Sequence, residues 1–201
     1  MEMGKLRSVA IAIVVITAAR DAPATIEEQR ARLPPAAECS SPMAGRWRSL
    51  NFNEYEGAWY QFTLEIREDP RDSSLLTGEI FVDTWDGVAT TAEPPVPCIR
   101  RSKGKMNGHG TFKHGEVFFG GSDYRRTEQV CGPTVGYNPD QFTGKLDTER
   151  QEFQAVNNDG GIMVNAPTVF RRIGCFEQDG RKSPDSDVTP PPFFPKRTSG
   201  C

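Results

Sequence analysis

Regular alternation of apolar and polar residues is the feature that most constrains how this chain folds. In residues 59–67 every second side chain is apolar, in the series Tyr60, Phe62, Leu64 and Ile66. Because successive side chains of a strand point to opposite faces, this alternation predicts a β-strand with one dry face. About eight such segments, separated by turn residues, follow one another up to residues 168–173. The pattern predicts an all-β fold, either a single small antiparallel barrel or, as the alternative, a β-sandwich.

Composition agrees with a turn-rich β domain and argues against one class of partner. The 201 residues include 19 Gly and 16 Pro, which suit turns better than helices, and the length allows one domain with tails. The formal net charge is -3 at pH 7, whereas binding to a nucleic acid backbone needs a basic face. We therefore expect no nucleic-acid partner.

The two termini differ in composition from the centre of the chain. Residues 1–24 start with a short basic region, continue with an apolar run at 8–19 and end in small residues, as an export signal does. The apolar run is too short to span a bilayer comfortably, so we expect a secreted or extracytoplasmic protein without stable membrane insertion. Residues 177–201 are rich in Ser, Asp, Pro and basic residues and are expected to form a disordered tail. The barrel domain is then predicted at 39–176.

Residues 25–38 are expected to link the signal to the barrel. Thr25 and Glu28 have the spacing of a capping box, in which each side chain bonds the other residue's backbone N–H. A short helix would then run to Leu33, before Pro34 and Pro35 stop it. The alternative is a linker without a stable helix.

A Gly-x-Trp and a late arginine mark the first and last predicted strands. Gly45 and Trp47 stand at the start, and Arg171 and Arg172 lie on the last strand. This arrangement resembles the calycin barrels, which are the lipocalins, the avidins and their relatives. The resemblance implies that the Trp47 indole closes one end of the barrel and that Arg172 packs across it, with Gly45 allowing close backbone approach. The chain shows neither the later lipocalin motifs nor an avidin-like set of biotin contacts.

Five cysteines agree with export, because four of them can form disulfides in an oxidising compartment. Cys39 precedes the first strand and Cys175 follows the last, and these two points are neighbours in a closed antiparallel barrel. We therefore predict the pair Cys39–Cys175, with Cys98–Cys131 as the second pair. Cys201 remains, either as a free thiol or as a link to a second chain in a dimer.

Aromatic residues of the predicted strands are candidates for a ligand-binding interior. A small barrel can hold one small apolar molecule when its own side chains leave room. The candidate ligand-binding residues are Tyr60, Phe62, Trp85, Phe119 and Phe142. We therefore expect a secreted protein that binds a small apolar molecule, without a cofactor. In the alternative, the same side chains fill the barrel, and the protein acts through its surface as an interaction protein.

Acidic residues on predicted strands are the basis for a catalytic alternative. Glu79 and Asp83 share a strand face with Phe81 and Trp85, and paired carboxylates that face a closed cavity can perform acid–base catalysis. Some calycin-like barrels act as cyclases or isomerases by shaping a reactive chain inside the cavity, so the resemblance admits this activity. The solvated outer face of the barrel is the favoured placement of both carboxylates, which leaves an enzyme as the less favoured hypothesis.

The metal-ligating residue types do not form a recognisable site in the sequence. His109 and His114 are the two histidines, and their spacing of five places them on opposite faces of a strand. No two cysteines have the short C-x-x-C spacing of structural zinc sites. We therefore expect no metal site.

Overall fold

The computed structural model describes residues 25–93, 99–133, 136–160 and 165–176. The predicted signal at 1–24 and the predicted tail at 177–201, which includes Cys201, lie outside these residues. Cys98 also lies outside them.

Eight antiparallel strands form a closed barrel in which each strand pairs with its neighbours in the chain and the first pairs with the last. The strands are β1 (Gly45–Asn53), β2 (Ala58–Glu68), β3 (Leu75–Asp86), β4 (Arg101–Lys113), β5 (Glu116–Val130), β6 (Gln141–Asp147), β7 (Glu152–Asn157) and β8 (Pro167–Gly174). The predicted all-β antiparallel barrel is confirmed, and the sandwich alternative is not adopted.

The strand register follows from the alternating sequence. Phe62 lies opposite Val82 and Leu64 lies opposite Ile80, so the apolar residues of neighbouring strands share the inner face. Burying this face removes apolar area from water, which is the main favourable contribution to folding. A shift of one residue would expose the whole set, so the pattern fixes the register.

Glycines on β4 and β1 make room for large neighbours. A Cβ atom on Gly108 would lie 2.4 Å from the Phe119 ring, so this inward position must be small for that ring to occupy the interior. At the start of β1, a Cβ on Gly45 would lie 2.6 Å from the carbonyl oxygen of Gly174. The glycine of the Gly-x-Trp sequence therefore permits the close approach of β8.

Among the described residues there is one short helix, α1 (Ile26–Arg32), which packs outside the barrel and begins with the predicted capping box. β8 pairs with β1 only near its own C-terminal end. Farther along, the side-chain amide of Gln29 takes the place of a strand, because it donates to the Pro167 carbonyl at 2.9 Å and accepts from the Val169 N–H at 2.9 Å. The linker helix thereby supplies hydrogen bonds that the β1–β8 seam lacks.

The predicted disulfide Cys39–Cys175 is confirmed, with its two Cα atoms 5.5 Å apart. It joins the segment before β1 to the segment after β8, as barrel closure requires. Cys131 is also disulfide-bonded. The predicted pairing of Cys131 with Cys98 stays a prediction, because Cys98 lies outside the described residues.

Candidate functional site at the open end of the barrel

The end of the barrel at which β1 begins and β8 ends, here named the closed end, is covered by Trp47. The guanidinium of Arg172 lies over the indole, 4.4 Å from its centroid, and donates to the carbonyls of Ser41, at 2.7 Å, and Pro42. The indole N–H donates to the Met43 carbonyl at 2.9 Å. Burial lowers the pKa of Arg172 to about 10, so the guanidinium remains protonated at neutral pH. These contacts attach the segment before β1 to the barrel.

Packed aromatic rings fill the middle of the barrel. Phe153 stacks on Phe170 with centroids 4.8 Å apart, and Phe142 contacts Phe170 edge-on at 4.7 Å. Phe62 meets Phe142 at 5.1 Å, also edge-on. All four rings are buried. Such offset and edge-to-face contacts are the favoured packing of aromatic side chains, and they leave this layer occupied by the protein itself.

The opposite end, at which β1 ends and β8 begins, is here named the open end. Its inward-facing side chains are only half-buried, in contrast to the buried layer below. They include polar as well as aromatic residues, namely Asn51, Tyr60, Thr84, Tyr124 and Asn157. The buried rings of Phe62 and Phe142 form the floor beneath them. The open end is therefore a shallow polar and aromatic wall above an apolar floor, and it is the candidate site.

A buried carboxyl group stands in the wall of this site. Asp140 is 1% exposed, and its oxygens accept from the Tyr137 hydroxyl at 2.7 Å and the Asn157 amide at 2.6 Å. Tyr137 in turn stacks on Tyr124 with centroids 4.6 Å apart. Burial raises the pKa of Asp140 to about 7, although the two hydrogen bonds oppose the shift and the nearby Asp159 adds to it. The group therefore titrates near neutral pH, where either protonation state can take part in binding.

Tyr60 lies on the β2 side of the same site. Its hydroxyl donates to the Glu56 carboxylate, and its ring stacks on Phe62 with centroids 6.3 Å apart. Burial, followed by the bond to Glu56, raises the pKa of Tyr60, so the phenol stays neutral. Arg100 lies close enough to oppose this shift and is held by Asp86 through a 2.8 Å ion pair. Tyr60 therefore offers an aromatic face and a neutral hydroxyl to a ligand.

Two oxygens on the inner face of β1 lack hydrogen-bond partners. The Ser49 hydroxyl is fully buried, and neither this oxygen nor the side-chain carbonyl oxygen of Asn51 is bonded. Asn51 uses its amide N–H to donate to Thr168 at 2.9 Å. The two residues lie opposite Phe62 and Tyr60 in the β1–β2 register, which places them beside the floor and wall of the site. A buried unbonded oxygen costs free energy, so it marks a place where a hydrogen-bond donor would be stabilising.

The structure brings together only some of the residues that sequence analysis selected for ligand binding. Tyr60, Phe62 and Phe142 meet at the open end, and Phe119 lies opposite Phe142 in the buried layer. Trp85 lies on the outer face of β3, where it pairs with Trp59 and Arg101. The alternation of β3 explains this position, because its inward residues are the even-numbered ones, such as Ile80 and Val82.

Glu79 and Asp83 also lie on the outer face of β3. Glu79 accepts from Lys105 at 2.7 Å, and Asp83 pairs with Arg101 at 2.5 Å. Each carboxylate therefore has a cationic partner on β4 and points away from the interior. Their arrangement is that of cross-strand ion pairs on a barrel surface.

Sequence analysis missed Asp140, Tyr137 and the role of Asn157. The signal in the sequence is the spacing of Tyr137 and Asp140, three residues apart in a Pro-containing segment, which lets the phenol reach the carboxylate. Nothing local indicated that a residue on β7, 17 positions away, would complete the network.

Two surface cavities lie away from the open end. A groove of about 640 Å³ runs beside α1 and is lined by Arg30, Glu152 and Arg171 among others. Glu152 is buried between the two arginines, at 2.8 Å from Arg30 and 2.6 Å from Arg171. A smaller cavity of about 250 Å³ lies next to Cys39 and Arg172 at the closed end. The charges that line the groove already neutralise one another, which leaves little net charge for a ligand.

In the part of the chain that the structure describes, no group of three or more His, Cys, Asp or Glu residues is arranged to hold a metal ion. Within the same residues no helix has both the length and the apolar character needed to cross a membrane. Comparisons with protein-family models, curated proteins and solved structures find no match for this chain.

Proposed function

We propose that this protein binds one small, largely apolar molecule at the open end of its barrel. The supporting observation is the change in burial along the inner face, from the filled aromatic layer to the half-buried wall of Tyr60, Thr84 and Tyr124. Concave sites with an apolar floor and a few convergent polar groups are the usual form of a small-molecule site. Phe62 and Phe142 would contact the apolar part of the ligand.

The filled layer limits how deeply the ligand enters. Phe119, Phe142 and Phe170 are fully buried, with Phe142 edge-on to Phe170 at 4.7 Å and Phe119 packed over Gly108. A ligand would therefore rest on these rings at the mouth of the barrel. Its polar groups would reach the wall, where the side-chain carbonyl oxygen of Asn51 has no hydrogen-bond donor.

Membership of the calycin barrels is part of the proposal. It is supported by the eight-stranded closed barrel and by the stacking of Arg172 on Trp47 at the closed end. Ligand binding at the opposite end of such a barrel follows by analogy of fold, which guides the test but does not replace it.

An extracytoplasmic location is also proposed. The Cys39–Cys175 disulfide supports it, because structural disulfides form and persist in oxidising compartments. The apolar run at residues 8–19 supports it from the sequence.

The test uses a bulky substitution on each face of β3. Thr84→Trp places an indole in the open-end wall, and Thr77→Trp places the same indole on the outer face as a matched control. A neutral apolar fluorescent probe, N-phenyl-1-naphthylamine, is titrated into each protein. We expect binding by the wild type and Thr77→Trp and a loss of at least about tenfold in affinity for Thr84→Trp, because the site would be occupied. Equal binding by all three proteins would place the probe elsewhere and contradict the proposal.

A second candidate is an interaction protein that uses its outer surface. The observation that favours it is an exposed apolar pair, Leu75 at 42% and Phe118 at 36%, joined through Thr111 in one cross-strand row. If the wild type binds no probe, and Phe118→Ser alters association in sedimentation experiments, this candidate replaces the first. The link through Cys201 stays a prediction that a non-reducing gel tests.

A further inference from the structure

We propose that the ligand of the open-end site carries a protonated nitrogen and that the Asp140 carboxylate is its counter-ion. This inference rests on the proposed binding function and adds the charge class of the ligand. It starts from the position of Asp140, which is buried just before β6, is bonded to Asn157 opposite Phe142 and acts electrostatically on Tyr60. The carboxyl group therefore stands beside the floor of the site.

Both hydrogen-bond partners that the structure gives the Asp140 side chain are neutral. They are the Tyr137 hydroxyl and the Asn157 amide, at 2.7 Å and 2.6 Å. The other buried acid among the described residues, Glu152, lies between Arg30 and Arg171 at ion-pair distance. A buried carboxylate is costly without a cation, so a ligand that brings one would be strongly favoured at Asp140.

Aromatic rings surround this position. Tyr124 and Tyr137 stack at 4.6 Å with an angle of 19° between their planes, and Tyr60 stacks on Phe62 across the site. The face of an aromatic ring is negative and attracts a cation within about 6 Å. A carboxylate with several aromatic rings is a combination that suits an organic ammonium group better than an anion.

The unbonded oxygens on β1 give an independent indication. The Asn51 carbonyl oxygen can only accept, and the fully buried Ser49 hydroxyl also has acceptor capacity. An ammonium group has three N–H donors and no acceptor. The unmet hydrogen-bonding capacity of the inner face therefore matches the donor-rich end of such a ligand.

The charged groups around the site are predominantly acidic. Asp159 acts on Asp140 and on Tyr137, while Glu56 acts on Tyr60. The one cation that acts on Tyr60, Arg100, is paired with Asp86 at 2.8 Å. Arg126 of β5 also lies on the inner side, opposite Gly104, and its Nε donates to the Ser102 hydroxyl at 3.3 Å. When all these groups are ionised, four acids and two arginines lie around the site, and the excess of acid favours a cationic ligand over an anionic one.

Protonation of Asp140 would compete with the ligand. Because burial raises the pKa of this carboxyl to about 7, it is largely neutral at pH 5.5 and largely ionised at pH 8. A bound cation favours the ionised form, so affinity for the cation should rise as the pH increases through 7. A neutral ligand has no such dependence on Asp140.

The test compares three probes of one shape and different charge: 2-phenylethylamine, 2-phenylethanol and phenylacetate. Their affinities are measured by isothermal titration calorimetry at pH 5.5 and pH 8, where the amine is protonated throughout. At pH 8 we expect the wild type to bind the amine at least about tenfold more tightly than the alcohol and to bind phenylacetate most weakly. At pH 5.5 the advantage of the amine should fall severalfold.

Asp140→Asn should lower the affinity for the amine to about that of the wild type for the alcohol. Asp83→Asn, an acid-to-amide change on the outer face, is the matched control and should keep the preference. Alcohol binding equal to or tighter than amine binding at pH 8 would overturn this inference and leave the binding function standing. Absence of binding by all three probes would overturn both. If Asp140→Asn fails to fold, the pH dependence of the wild type decides, since an amine preference that does not change between pH 5.5 and pH 8 contradicts the role of Asp140.

Discussion

The closed and open ends of the barrel are built from the same eight strands, but the buried ionisable group at each end has different partners. At the closed end, the Arg172 guanidinium is covered by the Trp47 ring and bonded to two backbone carbonyls. At the open end, the Asp140 carboxyl has neutral hydrogen-bond partners, and the side-chain carbonyl oxygen of Asn51 in the wall is unbonded. Under the proposed function, this difference separates a part of the barrel that stabilises the fold from a part that is available to a ligand.

Removing one aromatic ring from each end should give the largest difference in the free energy of unfolding. We expect Trp47→Ala to lower the free energy of unfolding by about 3–5 kcal/mol, because it removes a fully buried ring and leaves a cavity beside Phe153. Tyr60→Ala, at the half-buried wall, should cost about 1 kcal/mol. Urea denaturation monitored by circular dichroism measures both. Equal losses would show that the two ends contribute alike to stability.

The change in stability with pH should be an effect of intermediate size, and we expect it to arise from Asp140 at the open end. The folded state raises the pKa of Asp140 to about 7, while an unfolded Asp titrates near 4. The folded state therefore binds the proton more tightly, and the stabilisation is fully present below about pH 4 and is lost as the pH rises through 7. Between pH 4 and pH 7.5 we expect a loss on the order of 3 kcal/mol in the wild type relative to Asp140→Asn.

Urea denaturation of the two proteins across this pH range measures the difference. Arg172, whose pKa is lowered to about 10, stays charged throughout the range and does not contribute to the slope. Parallel curves for the wild type and Asp140→Asn would show that Asp140 is not the titrating group.

A substitution on the outer face of the barrel should change the free energy of unfolding least. Glu79→Gln removes the carboxylate that Lys105 contacts at 2.7 Å, in a pair that is about one-third exposed. Such pairs contribute roughly 0–1 kcal/mol because water and salt screen them. A double-mutant cycle with Lys105→Met, measured at low and high salt, checks this value. A coupling well above that range would indicate that this outer face is less solvated than its exposure implies.

The sequence was sufficient to predict those parts of the fold that depend on local residue patterns or on the closing of the barrel. The alternation in β2 defined its inner face, the Thr25–Glu28 spacing defined the start of α1, and barrel closure selected Cys39–Cys175. In each case one pattern or one topological rule was sufficient. These features therefore did not require knowledge of how distant side chains pack.

The open-end site was predictable only in part. Tyr60, Phe62 and Phe142 could be selected because they are aromatic and lie on strands, but Trp85 belongs to a strand with apolar residues on both faces. The packing of Ile80 and Val82 in the core shows that the even-numbered residues of β3 face inward and that Trp85 faces outward. Asp140 was missed because its burial depends on a loop conformation and on a partner from β7.

Native mass spectrometry of the protein, purified without denaturant from its source organism, tests the central claim most directly. The claim is that the open end is a ligand site and the filled middle layer is not. We predict a co-purifying small molecule of defined mass that Thr84→Trp lacks and Thr77→Trp retains. A bare protein mass for the wild type, with its disulfides intact, would contradict the ligand-binding account and favour a filled barrel that acts through its surface.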